Sequence, residues 1–132
     1  MEALRIEATE FTPKVIMDPA SNSFEITGES RPENAGQFYK EILDWLDSYY
    51  NLRYWKDSKF SGVDAVFEFK LDYFNSTSAK FILDILMKLQ TFRKDEINIK
   101  VKWHYDKPDL DMKESGEEFA AMTGIPFEYI AT

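Results

Sequence analysis

The chain has 132 residues, enough for one domain with a sizeable core, and 44% of them are hydrophobic, which is incompatible with a wholly disordered chain. Its 24 acidic residues against 16 basic ones give a formal net charge of −8. That balance argues against general nucleic-acid binding and against docking on an anionic membrane, because both need Lys and Arg to neutralise phosphate. The absence of cysteine excludes disulfides, thiol catalysis and thiolate metal sites.

The opening residues, MEALRIEATE, have neither a basic start nor an apolar stretch, so no secretory leader is expected. No apolar run approaches the ~20 residues of a membrane span, and a cytoplasmic location is the default expectation. Leu4 and Ile6 suggest a short strand or an ordered arm. Val15 and Met17 suit a strand that ends at Asp18-Pro19, with a turn over Ala20-Ser21-Asn22. Phe24, Ile26 and Gly28 alternate with Glu25 and Thr27, which predicts a second strand and a hairpin. Arg31-Pro32-Glu33-Asn34 then breaks the sheet. Phe38, Ile42, Trp45, Leu46 and Tyr49 form one apolar stripe at helical spacing, predicting a first helix over Ala35 to Tyr50. Residues 51–62 are polar and mixed and read as a connection, with Tyr54 and Trp55 exposed or partly packed.

The clearest strand follows. Val63, Ala65, Phe67, Phe69 and Leu71 share one face, and Asp64, Val66, Glu68, Lys70 and Asp72 the other, as expected for a sheet covered on one side. A second helix, from the Asn75 region through Leu89, would bury Phe81, Ile82, Ile85, Leu86 and Leu89. Ile97, Ile99, Val101 and Trp103 alternate again, so strand, helix and strand imply a right-handed parallel crossover. A third helix runs to about Met122, with Met112, Phe119 and Met122 inward, and Thr123-Gly124 ends it before a last short strand over Ile125 to Ile130. The expected architecture is α/β: a single domain over residues 1–132, two layers, a mixed β-sheet with about three helices mainly on one face.

Between the clearest strand and the second helix stands Asn75-Ser76-Thr77-Ser78. The turn places three hydroxyls on the first turn of a helix, where backbone N–H groups lack intrahelical partners and negative charge is favoured. A phosphate on one of them would sit where the fold tolerates it. The structural alternative is that Asn75 caps the helix and the hydroxyls fill polar positions. Lys80 lies one turn on from Ser76, placed to pair with a phosphate or with Asp84.

Other constellations are incomplete. His104 is the one histidine, on the polar face of its strand, with no positioned nucleophile and no metal-ligand pattern. Asp106, Asp109, Asp111, Glu114, Glu117 and Glu118 lack the register and the glycine of a calcium loop and suit a solvated helix start. The glycines are dispersed, so no phosphate-cradling loop is formed. No catalytic residue, metal site or cofactor is expected.

Several segments, in order, resemble the SiaC family of bacterial regulatory phosphoproteins, whose fold is similar to that of the anti-sigma-factor antagonists (STAS-like). They are Leu4-Arg5-Ile6 with Thr12-Pro13, Arg31-Pro32-Glu33-Asn34, Tyr73-Phe74-Asn75-Ser76-Thr77-Ser78-Ala79-Lys80, Trp103-His104-Tyr105-Asp106 and Pro126-Phe127. The resemblance implies a non-enzymatic phospho-switch. It further implies that a Ser/Thr protein kinase modifies the chain, that a PP2C-type phosphatase reverses the step, and that the unmodified form binds and activates a diguanylate cyclase (a GGDEF enzyme of c-di-GMP signalling). The family's modified residue is typically a Thr directly after the Asn. Here Ser76 holds that position, so it is the implied site, with Thr77 and Ser78 as alternatives and Asn75 and Lys80 in support. A second reading is a partner-switching module that binds a kinase-like anti-sigma factor. A third is a small metal-dependent hydrolase using His104 and the acidic stretch.

Overall fold

The computed structural model describes residues 1–55 and 63–132. Alternation of apolar and polar residues builds the sheet, and the helices follow from the stripes between strands. The order is β1 (Leu4–Ile6), β2 (Lys14–Asp18), β3 (Ser23–Ser30), α1 (Ala35–Trp55), β4 (Ala65–Phe74), α2 (Ser76–Lys94), β5 (Ile99–Tyr105), α3 (Leu110–Thr123) and β6 (Phe127–Ala131). The six strands lie in sequence order in one sheet. β1, β2 and β3 are antiparallel, and β3 to β6 are parallel neighbours. Each parallel step carries a helix. Because such crossovers share one hand, an unreversed strand order puts all of them on the same face. The result is the expected two-layer mixed α/β arrangement, in which α1 packs on α2 and α2 on α3.

The core lies between these layers. Phe67, Phe69, Val101, Trp103, Phe24 and Ile26 project from the sheet onto Ile42, Leu46, Ile82, Ile85 and Leu89 of the helices, all of them buried. The opposite sheet face is laced with charge. Glu25 accepts from Thr27 at 2.6 Å, Lys70 lies 3.5 Å from Glu25, and His104 Nε2 is 2.9 Å from Glu68 Oε1. Such a face pairs its own charged and polar groups, as suits a sheet covered on one side.

Several boundaries and faces differ from expectation, each for a local reason. β4 starts at Ala65, and Val63 is exposed rather than inward. The strand continues to Phe74 through a bulge: Gly28 pairs with Leu71 but Glu29 with Tyr73, so Asp72 has no partner. The extra residue reverses the alternation. Tyr73 therefore faces solvent, while Phe74 turns inward against Trp103 and Phe119. Gly28 sits at φ 114°, a conformation that favours glycine.

α1 runs past Tyr50 to Trp55 because Arg53 is buried and bonded. Its Nη1 donates to Tyr49 Oη (2.8 Å) and to Asn22 Oδ1 (3.3 Å), and its Nη2 donates to the Val63 carbonyl (2.9 Å). The rest of the expected connection, residues 56–62, and the side chain of Trp55 lie outside the described residues. Tyr39, not Phe38, is fully buried, so the inward stripe is Tyr39, Ile42, Leu46, Tyr49 and Arg53, with Phe38 and Trp45 flanking it.

α2 extends to Lys94, beyond Leu89, and buries Phe92 as well, while Phe81 is only partly buried. Met122, expected inward, is exposed. The buried stripe of α3 is Met112, Gly116, Phe119 and Thr123, and Gly124 closes the helix in the left-handed region.

Candidate phosphorylation site at the head of the second helix

The candidate turn is built by two strand ends and a helix start. β3 ends at Ser30 and β4 at Phe74, paired with each other. The Asn75 N–H donates to the Ser30 carbonyl at 3.1 Å, which carries the strand pairing one residue into the turn. Asn75 then takes extended geometry (φ −84°, ψ 174°), and its Oδ1 accepts from the Ser78 N–H at 2.9 Å. It is the N-cap, as expected. The Asn75 carbonyl accepts from the Ala79 N–H at 2.9 Å, the first helical bond. Within the described residues the N–H groups of Ser76 and Thr77 have no partner. They are the orphan donors of the helix start.

The three hydroxyls do not share one environment. Ser76 and Thr77 are exposed. Ser78, expected at the surface as a third alternative, is fully buried, because the third residue of this helix points back under the turn. Its Oγ accepts from Ser30 Oγ at 2.8 Å, and Ser30 Oγ is also bonded to Tyr39 Oη. Burial pushes the Tyr39 phenol above its ordinary pKa, and its contacts with Ser30 and Ser78 oppose that rise. Ser30 and Tyr39 were not singled out by sequence reasoning. Ser30 stands at the inward phase of Phe24 and Ile26, and a hydroxyl at an inward position was the available signal.

Lys80 is exposed one turn below, with no ion pair to Asp84 among the described residues. On the same edge Arg31 donates from Nε to Glu29 at 3.1 Å and covers the exposed Phe11 ring, with 4.6 Å between guanidinium carbon and ring centroid. Exposed Tyr73 lies beside Glu29. The edge around the two exposed hydroxyls is thus partly aromatic.

His104 lies away from this turn, on the open sheet face, bonded to Glu68. It lines a depression of about 180 Å³ with Lys70, Asp72 and Asp106. Asp109 caps α3 by accepting from the Met112 N–H at 3.1 Å. Among the described residues no three His, Asp or Glu side chains converge as metal ligands. No helix among them is long and apolar enough to cross a membrane.

Known proteins share this fold. An uncharacterized protein of Pseudomonas aeruginosa (strain UCBPP-PA14) is 28% identical over 127 residues, spanning 96% of this chain and 94% of its own. The crystal structure of apo-SiaC from Pseudomonas aeruginosa superposes with a TM-score of 0.85 at 26% identity, covering 99% of this chain and 100% of that one. A structure of the diguanylate cyclase SiaD in complex with its activator SiaC, from the same organism, matches with a TM-score of 0.84 at 26% identity over 98% and 99% of the two chains. A family model described as SiaC family regulatory phosphoprotein matches residues 6–132. The chain belongs to the SiaC family of regulatory phosphoproteins.

Proposed function

We propose that this chain is a single-domain, non-enzymatic phospho-switch of the bacterial cytoplasm whose unmodified form binds and activates a diguanylate cyclase. The observation that carries this reading is the match over 98% of the chain to the structure of a cyclase with its activator. A Ser/Thr protein kinase adds phosphate at Ser76, with Thr77 as the second acceptor, and a PP2C-type phosphatase removes it. The burial of Ser78 leaves it the least suited of the three.

The physics of the turn supports a switch that acts at the surface. A phosphate adds about −1.5 to −2 charge at neutral pH. On Ser76 it meets two unpaired N–H groups and the positive end of α2, so the fold accepts it with little strain. The same charge faces a partner that would otherwise cover a partly aromatic edge. Desolvating or repelling it costs on the order of several kcal/mol, a loss of affinity of about a hundredfold or more.

The experiment is co-expression with neighbouring genes, then intact mass, tandem mass spectrometry and pull-down. Phosphate is expected on Ser76, and the unmodified form should retain the cyclase. Ser76→Ala should fold normally and bind constitutively. Ser76→Asp should bind less well, although one carboxylate is a poor copy of a phosphate. Phosphate mapping outside residues 76–78, or equal cyclase binding by both forms, would overturn the reading.

A further inference from the structure

Beneath the acceptor turn lie three buried hydroxyls from three elements. Ser30 ends β3, Tyr39 stands in the second turn of α1, and Ser78 is the third residue of α2. Ser30 and Ser78 are 0% exposed, and so is Tyr39. Ser30 Oγ donates to Ser78 Oγ at 2.8 Å and is bonded to Tyr39 Oη. No buried side-chain polar atom in the described residues lacks a partner. The Tyr39 ring is stacked on Phe81 at 5.5 Å, one turn along α2, so apolar and polar contacts hold the same pair of helices.

Such a cluster is an unusual choice for simple cohesion. Apolar side chains of similar volume would join three elements without the desolvation of three hydroxyls. What hydroxyls add is geometry: each bond fixes a distance and a direction, and a satisfied polar network specifies one arrangement. Here the specified element is the first turn of α2. Ser78 is held at both ends, its N–H by Asn75 Oδ1 and its Oγ by Ser30. With Ser78 fixed inward, the helical rotation places Ser76 and Thr77 outward.

We propose that the Ser30–Tyr39–Ser78 cluster is the positioning device of the phospho-acceptor: it withholds the inward hydroxyl and presents Ser76 and Thr77 to the kinase in one preset orientation. This deepens the reading above and rests on it. A preset acceptor spares the kinase the cost of ordering the turn, so loosening the cluster should be felt in transfer more than in global stability.

The test compares Ser30→Ala and Tyr39→Phe with Leu89→Val, a control that thins the core of α2 away from the turn. Two readouts are taken. The first needs no kinase: amide hydrogen exchange at Ser78 and Ala79. The second is kcat/KM for phosphate transfer to residues 76 and 77, using the kinase that modifies the wild type in the co-expression experiment. Both cluster variants should speed exchange at the turn by about tenfold, the effect of losing one buried hydrogen bond. They should lower kcat/KM by a similar factor, while Leu89→Val at matched thermal stability changes neither. If exchange and transfer in the cluster variants equal those of the control, the proposal is overturned. If the wild type takes no phosphate at residues 76–78, the functional reading fails, and the exchange comparison still decides whether the cluster orders the turn.

Discussion

Gly116→Ala should destabilise this protein although alanine is the better helix former. Gly116 is in α3, buried, and faces Trp103 of β5. A Cβ placed there would lie 2.5 Å from Trp103 Cδ1, 2.6 Å from Nε1 and 2.7 Å from Cγ, closer than real contacts allow. The indole cannot step aside. It is 1% exposed, stacked on Phe69 and Phe127 with centroids 5.6 and 5.9 Å away, and flanked by Phe119 at 5.6 Å. Its Nε1 donates to the Met112 carbonyl of the same helix at 2.9 Å. Overpacking of this kind costs about 1–3 kcal/mol, and stretching the buried indole bond adds about 1–3. The gain from replacing glycine in a helix returns only about 1 kcal/mol. The net loss is therefore roughly 3 kcal/mol, read in urea melts followed by tryptophan fluorescence and by far-UV circular dichroism. Gly36→Ala is the internal control. The nearest atoms to its added Cβ are 3.7 and 3.8 Å away, ordinary contacts, so it should be neutral or stabilising by up to ~1 kcal/mol. Equal or greater stability of Gly116→Ala would mean that α3 does not seat on Trp103 as described.

Two further outcomes follow from local geometry. Asn75→Ala removes the cap that accepts from the Ser78 N–H and should lower stability by about 1 kcal/mol in the same melts, whereas Asn75→Asp should retain the cap. The Tyr50 phenol, which donates to Asp95 Oδ2 at 2.6 Å, is pushed up to about 12 by that bond, with burial and the Asp95 charge adding to it. Because the folded pKa is raised, the bond's contribution is present below the unfolded value near 10 and fades as pH rises through about 12. Ultraviolet absorbance titration should show a late-ionising tyrosine that moves down in Asp95→Ala, and an unchanged titration would show that the bond is not formed in solution.

The parts of this fold that were legible in the sequence are those where burial follows one period. β4 is flanked by strands on both edges and covered by helices on one face, so Ala65, Phe67, Phe69 and Leu71 alternate cleanly. The reading failed where geometry broke the period or where buried residues are not apolar. The unpaired Asp72 reverses the phase, which turns Tyr73 out and Phe74 in, and no composition signal marks a bulge. The stripe of α1 is centred one residue from the apparent one because it includes Tyr39 and Arg53, one carrying a hydroxyl and the other a charge that finds Tyr49, Asn22 and the Val63 carbonyl. α3 buries Gly116 and Thr123, small residues that permit close approach and leave no hydrophobic trace, so Met122 looked inward in their place.

The candidate site divides along the same line. Asn75 as the cap and the exposure of Ser76 follow from the local run of residues, because an N-cap satisfies its own first turn. The fate of Ser78 does not follow, because it depends on residues 48 and 39 positions earlier in the chain, Ser30 and Tyr39. A turn with three hydroxyls in sequence is thereby a turn with two in space. That difference bears on regulation. A surface hydroxyl at a helix start can take a charge and leave the core as it was, since the orphan N–H groups receive it. A buried hydroxyl could take one only by breaking the contact between α2, α1 and the end of β3. In the proposed switch these roles fall to different members of one run of three residues: Ser78, buried and bonded to Ser30, holds the turn, and exposed Ser76 and Thr77 take the charge.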